Sequence, residues 1–193
     1  MNLTVSEKHF IYHWFHHMLS KELSLSQLQV LYDGTFEPFF TFMESLGFKH
    51  RVNYFRQQIN AYMLSETPEL ELAAMYAEVF LLDGKTSVLP YASAYLDDQQ
   101  LIAHLENMDG YLKQYKLGIN KEINEPSDHL CIYLEIMLKL LENNQMQEYD
   151  KFLRSQLFSW FPAFLNRISN TELNIYTNLL LWLGAVLKQE IAN

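Results

Sequence analysis

Apolar side chains recur every three to four residues along almost the whole chain, the spacing that lines one face of an α-helix. Leu72, Tyr76, Val79 and Phe80 form one such line, and Leu134, Met137, Leu138 and Leu141 another. Leu173, Tyr176, Leu180, Leu183 and Leu187 make a third. Strict alternation, the mark of a half-buried strand, is not seen. Helix starts are well signalled. Thr4-Val5-Ser6-Glu7, Ser24-Leu25-Ser26-Gln27 and Ser169-Asn170-Thr171-Glu172 have the hydroxyl and Glu or Gln spacing of a capping box. Asp97-Asp98-Gln99-Gln100 is an Asx relative, and Thr67-Pro68 sets a capping residue before proline. These signals predict helices at about 5–20, 25–33, 37–46, 49–64, 68–82, 97–116, 126–143, 145–167 and 170–190.

Two stretches break the helical rhythm. Asp83 to Leu96, DGKTSVLPYASAYL, holds Gly84 and Pro90 and has no helical period. Gly118 to Pro126, GINKEINEP, ends in a proline that biases Glu125 away from helical angles. The fold class expected is therefore all-α, a bundle of about nine helices in two subdomains. The expected division is an N-terminal subdomain over 1–120, a hinge over 121–126 that includes Asn124 and Pro126, and a C-terminal subdomain over 127–193. Such a hinge lets one subdomain exchange between two chains, so the expected assembly is a monomer or a domain-swapped homodimer.

Composition narrows the partners. Of 193 residues, 49% are hydrophobic and only 19% charged, enough apolar mass for a core and too little charge for a disordered tail. The net charge of −9 disfavours nucleic acid, whose phosphates an acidic surface repels, and suits a basic partner. Simple solubility explains it equally well. Cys131 is the single cysteine, so an intrachain disulfide is excluded, and its apolar surroundings suggest a buried small hydrophobe. The longest apolar runs reach about half of the ~20 residues a bilayer span requires. The first nine residues lack a basic segment followed by an apolar one, so a cytoplasmic location without membrane insertion is expected.

Catalytic signatures are missing. GxSxG, GxGxxG, HExxH and a phosphate loop are all absent, and Asp83-Gly84-Lys85-Thr86 lacks the upstream glycine such a loop needs. His9, His13 and His16 share a face of the first helix, but no cysteine or carboxylate completes a zinc set, so surface or packing histidines are expected. No enzyme activity, resident cofactor or metal follows. Glu125-Pro126-Ser127-Asp128-His129 is more informative. Proline opens a helix whose acidic first turn faces the positive end of the dipole. There Asp128 can accept a guanidinium and His129 can titrate near neutrality. The plainer reading, a capping carboxylate at an ordinary helix start, is the one that the residues alone favour. Leu89-Pro90-Tyr91-Ala92-Ser93-Ala94-Tyr95 reads either as one wall of a peptide groove or as a connector packed on the core.

Taken in order, Leu70-Glu71-Leu72-Ala73-Ala74, Phe80-Leu81, Leu89 to Tyr95, Asn124 to Leu130 and Ile132-Tyr133-Leu134-Glu135 resemble the TorD family of twin-arginine redox-enzyme chaperones. The strong match spans about residues 70 to 141, with Leu19 to Leu23 also similar to the end of that family's first helix. EPxDH is common to the wider group, which includes chaperones of dimethyl sulfoxide and nitrate reductases. LPYASAY is closer to the chaperones of trimethylamine N-oxide reductase. One departure is Met75, where the family pattern has an acidic residue.

The resemblance implies an all-α chaperone without catalysis. Its implied partner is the apo form of trimethylamine N-oxide reductase together with that enzyme's twin-arginine leader, held until the molybdenum cofactor is inserted. Asp128, His129 and the 89–95 loop, with Pro90, Tyr91, Ser93 and Tyr95, are implied as the leader-binding residues. Weak GTP binding is implied too, although the chain carries no nucleotide motif. In this reading Asp128, seconded by Glu125, pairs with a leader guanidinium, Tyr91 and Tyr95 meet its apolar part, and the loop packs on the 125–129 helix entrance. The competing readings are a helical adaptor that docks an amphipathic helix, a chaperone for another molybdoenzyme such as dimethyl sulfoxide reductase, and, least supported, a His-dependent metalloprotein or nucleotide hydrolase.

Overall fold

The computed structural model describes residues 3–82, 87–117 and 126–192. Within them the chain is all-α, with ten α-helices, two π-turns, one short 3-10 turn and no strand. In chain order the helices are α1 (Val5–Leu19), α2 (Leu25–Tyr32), α3 (Glu37–Met43), α4 (Lys49–Met63) and α5 (Pro68–Phe80). They continue with α6 (Asp98–Tyr115), α7 (Leu130–Glu142), α8 (Met146–Phe152), α9 (Phe161–Ser169) and α10 (Ile175–Ile191).

Most starts lie where the capping residues place them. Glu7 Oε2 accepts the backbone N–H of Thr4 at 2.7 Å, and the Thr4 hydroxyl oxygen accepts from Glu7 N–H. Ser24 and Gln27 complete the same reciprocal pair, and Asp97 Oδ1 accepts from Gln100 N–H at 2.9 Å. Three expectations are corrected. The helix expected from 126 begins at Leu130, because residues 126–129 form a turn closed by His129 N–H on the Pro126 carbonyl at 3.1 Å. The helix expected over 145–167 is three pieces, α8, a π-turn at Leu153–Leu157 and α9, the last with Pro162 in its first turn. The last helix starts at Ile175 rather than 170, since Asn174 Oδ1 takes the N–H groups of both Tyr176 and Thr177.

By compactness the chain forms two units. One comprises Met18–Val88 and Ile168–Asn193, the other Asn2–His17 and Leu89–Arg167. Segments from both sides of residues 121–126 enter each unit. That expected hinge, Asn124 included, lies outside the described residues apart from Pro126.

In the first unit α4 packs against α2 and α10, and α5 against α4 and α10. Its core is aromatic. Trp182 of α10 stacks on Phe39 at 6.4 Å and takes the edge of Phe55 at 6.2 Å. The Tyr176 hydroxyl, buried with its helix, accepts Leu23 N–H at 3.0 Å. Asn178 is fully buried and its amide bridges two atoms of Arg51: Nδ2 donates to the carbonyl at 3.2 Å, and Oδ1 accepts from Nη1 at 3.3 Å. Between α3 and α4 the chain turns at Gly47, whose φ of 97° suits a residue without Cβ.

The second unit is built around α7. Ten of its thirteen residues are buried, and the three exceptions, Glu135, Lys139 and Glu142, fall on one stripe at helical spacing. Against that stripe α1 sets two histidines. His16 Nε2 lies 3.1 Å from Glu135 Oε1, and His9 Nε2 lies 3.2 Å from Glu142 Oε1. Of the α1 histidines, His9 and His16 are therefore pairing groups, while His13 and His17 are exposed. Among the described residues no group of three or more His, Cys, Asp or Glu side chains is placed to hold a metal. Nor is any described helix long and apolar enough to cross a membrane.

Candidate functional site

The 89–95 loop and the entrance of α7 belong to the same unit, and the backbone fastens one to the other. Tyr91 and His129 face each other in an isolated antiparallel bridge. Leu130 N–H donates to the Pro90 carbonyl at 2.8 Å, and Ala92 N–H donates to the Asp128 carbonyl at 3.1 Å. A fixed φ at Pro90 favours the extended conformation with which the loop meets its partner. Beyond Tyr91 the chain curls into the 3-10 turn Ala92–Ala94. There Asp128 Oδ2 accepts Ser93 N–H at 2.8 Å, a charge-assisted bond to one of the donors that a short turn leaves unpaired.

The side chains divide into supports and surface. Asp128 is 2% exposed and His129 6%, so both are interior groups. Asp128 is turned inward to Ser93 rather than outward, while its charge is felt by His104, His129 and Tyr133. His129 caps α7: its Nδ1 accepts Cys131 N–H at 3.3 Å, which leaves the ring proton on Nε2. Burial pushes the His129 pKa down to about 4, against the smaller opposing pull of the Asp128 charge. The neutral imidazole then lies 5.0 Å from the Tyr91 ring. Pro90 is buried, Tyr91 and Tyr95 are half-buried, and Ser93 is exposed. Tyr95 stacks on Trp160 at 5.9 Å and takes the edge of Phe164 at 5.7 Å, and burial raises its hydroxyl pKa to about 12.

Six of the residues singled out in the sequence, Pro90, Tyr91, Ser93, Tyr95, Asp128 and His129, are thus gathered in one place. Glu125 lies outside the described residues. Sequence reading did not single out two further polar pairs of the same unit. His104, buried on α6, hydrogen-bonds the Tyr133 hydroxyl, and burial lowers the pKa of His104. Tyr111 donates to Glu148, which helps to hold that carboxylate below its ordinary range. The available signal was a polar residue at a core-facing position of a helix, as with His104 four residues before the buried Met108.

Residues 45–166 match the family model described as nitrate reductase delta subunit. The chain is also similar over nearly its whole length to proteins named chaperone protein TorD. That of Actinobacillus succinogenes is 45% identical over 188 residues, covering 96% of this chain and 97% of the relative. Those of Actinobacillus pleuropneumoniae serotype 3, 45% identical over 93% of each chain, and Pasteurella multocida, 36% identical over the full length of both, agree with it.

Proposed function

This chain belongs to the nitrate reductase delta subunit family, alongside the chaperones named TorD, and we propose that it is a cytoplasmic chaperone for one molybdenum-cofactor reductase before export. In this reading it binds the twin-arginine leader and the apo body of that enzyme, trimethylamine N-oxide reductase, and shields both while the cofactor is inserted. It works without a cofactor or metal of its own, as a monomer or as a domain-swapped homodimer.

The observation that carries the reading is the mounting of the 89–95 loop. Asp128 and His129, expected as direct contacts, act from beneath by holding the loop and the α7 entrance in one shape. The exposed Ser93 and the outer faces of Tyr91 and Tyr95 are left as the surface a peptide meets. A pre-formed loop loses little entropy on binding, which favours capture of an extended leader. The net charge of −9 favours a leader that carries two arginines.

Calorimetry of a leader peptide at low and high salt tests this. Binding should weaken as salt screens the charge attraction. Equal affinities at both would remove the electrostatic part of the reading, and no binding at either would remove the whole. Affinity capture from cells respiring an N-oxide without oxygen names the client. Recovery of a dimethyl sulfoxide reductase instead would keep the chaperone and change its partner.

A further inference from the structure

Helix α5, in the first unit, carries apolar side chains on two opposite sides. Its inner side is core. Leu72, Val79 and Phe80 are buried there, and Tyr76 meets Phe80 at 4.7 Å and the edge of Tyr176 at 5.2 Å. Its outer side carries Leu70, Ala74, Ala77 and Leu81, in steps of four, three and four residues that bring them onto one stripe about 16 Å long. Leu81 is the C-cap and keeps right-handed helical angles, so the stripe runs unbroken to the helix end. Leu70 is 70% exposed and Leu81 66%, and Ala74 between them is exposed as well. With Leu64 and Leu82 they make four of the five most exposed large apolar side chains among the described residues. A surface helix ordinarily turns polar residues outward. An outward leucine stripe on a helix so well anchored on its other side marks a face that another element covers.

The charges around the stripe select that element. Glu71 and Glu78 border it on one side, Glu69 stands on the other flank, and Glu66 precedes the helix, all four exposed. From Gln57 to Leu82 the chain holds these four carboxylates and no Lys, Arg or His. Among the described residues none of the four is in an ion pair. A second copy of this chain would set these glutamates against themselves, and an anionic lipid surface would be repelled in the same way. A helix with lysines or arginines along the borders of its own apolar stripe fits both features. Its apolar side chains seat against Leu70 and Leu81, its axis comes close over the small Ala74 and Ala77, and its cations face the glutamates.

We propose that the outer face of α5 docks an amphipathic helix of a partner protein, one whose apolar stripe is bordered by basic residues. This site is built from residues of the first unit alone and holds whether or not the leader reading above does.

A synthetic amphipathic helix with a leucine stripe and lysine borders, free of arginine, is the probe. It is titrated into the full chain by calorimetry, and the amide resonances of α5 are followed in parallel. Saturable binding is expected, with shifts at Leu70, Ala74, Glu78 and Leu81, and with affinity that falls several-fold as salt is raised. The same peptide with glutamate borders should bind about tenfold more weakly or worse. Leu70→Ser together with Leu81→Ser should weaken the lysine-bordered peptide by about tenfold or more, and an unchanged melting temperature shows that α5 stays folded. Should that variant melt early, Glu69→Gln together with Glu78→Gln decides, with a several-fold loss expected. No saturable binding, equal affinity for the two peptides, or unchanged affinity in both variants overturns the proposal. So does sedimentation in which the chain pairs with itself through Leu70 and Leu81, or binding to phosphatidylcholine vesicles that the serine substitutions abolish, since either puts a different occupant on the stripe. A twin-arginine leader that fails to bind removes the leader reading and leaves this site to the lysine-bordered peptide.

Discussion

Asp128 Oδ2 accepts the backbone N–H of Ser93 at 2.8 Å, across 35 residues of sequence, from a carboxylate that is 2% exposed. A buried acid thus serves as a clasp between the 89–95 loop and the start of α7. Replacing it tests both stability and shape. Asp128→Ala should cost about 1.5–3 kcal/mol, the range for a lost hydrogen bond to a charged group. Asp128→Asn should cost less, since an amide oxygen still accepts. Urea unfolding measures the cost, and hydrogen exchange at Ser93 and Ala92 should quicken in Asp128→Ala. Unchanged exchange there would show that the loop holds without the clasp.

Acid should loosen the same region. The His129 pKa is pushed down to about 4 in the folded chain, against an ordinary value near 6.5 when unfolded. The unfolded chain therefore binds the extra proton first. The stability from keeping His129 neutral is full above about pH 6.5 and is lost as pH falls towards 4, by up to ~3 kcal/mol. His104, lowered for the same reason, adds in the same direction. His129→Asn, which keeps a capping acceptor for Cys131 N–H, should flatten the fall of stability between pH 6.5 and 4. An unaltered slope would place the acid sensitivity elsewhere.

Tyr95 links loop to core through Trp160 and Phe164. Tyr95→Phe keeps the ring and should change stability by less than about 1 kcal/mol. Tyr95→Ala leaves a gap beside Trp160 and should cost about 2–4 kcal/mol. Thermal melts compare the two, and the tryptophan near-ultraviolet dichroism should change only in the alanine variant.

In the other unit, Asn178 joins α10 to α4 through both ends of its amide. Asn178→Leu removes two hydrogen bonds and leaves the Arg51 guanidinium, already disfavoured by burial, without that acceptor. A loss of about 2–4 kcal/mol is expected in denaturant unfolding. A loss of a few tenths would mean that solvent replaces both bonds.

Much of this fold is legible in the chain because its helix starts rest on local chemistry. Thr4 with Glu7, Ser24 with Gln27, and Asp97 ahead of Gln100 need only neighbours three residues away. Where tertiary contacts choose between local options, the reading slips. Ser169-Asn170-Thr171-Glu172 has the letters of a capping box, but the Thr171 hydroxyl donates back to the Ile168 carbonyl and Asn174 does the capping. The π-turn at Leu153–Leu157 has no glycine or proline to announce it. At the site, the expected packing of the 89–95 loop on the α7 entrance is seen, but the letters could not tell which way a carboxylate turns. Asp128 as an open receptor and Asp128 as an inward clasp are the same letters, and only burial separates them.

The fastening of the 89–95 loop to α7 runs through main-chain atoms of Pro90, Ala92 and Ser93, while the exposed Ser93 side chain makes no hydrogen bond to α7 among the described residues. Frame and faceplate are therefore separable. Under the proposed function, a substitution at Ser93 can re-tune which peptide is held, by shape or polarity, without releasing the catch underneath. A change of clientele at this loop would then call for only a few side-chain swaps and no redesign of the bundle.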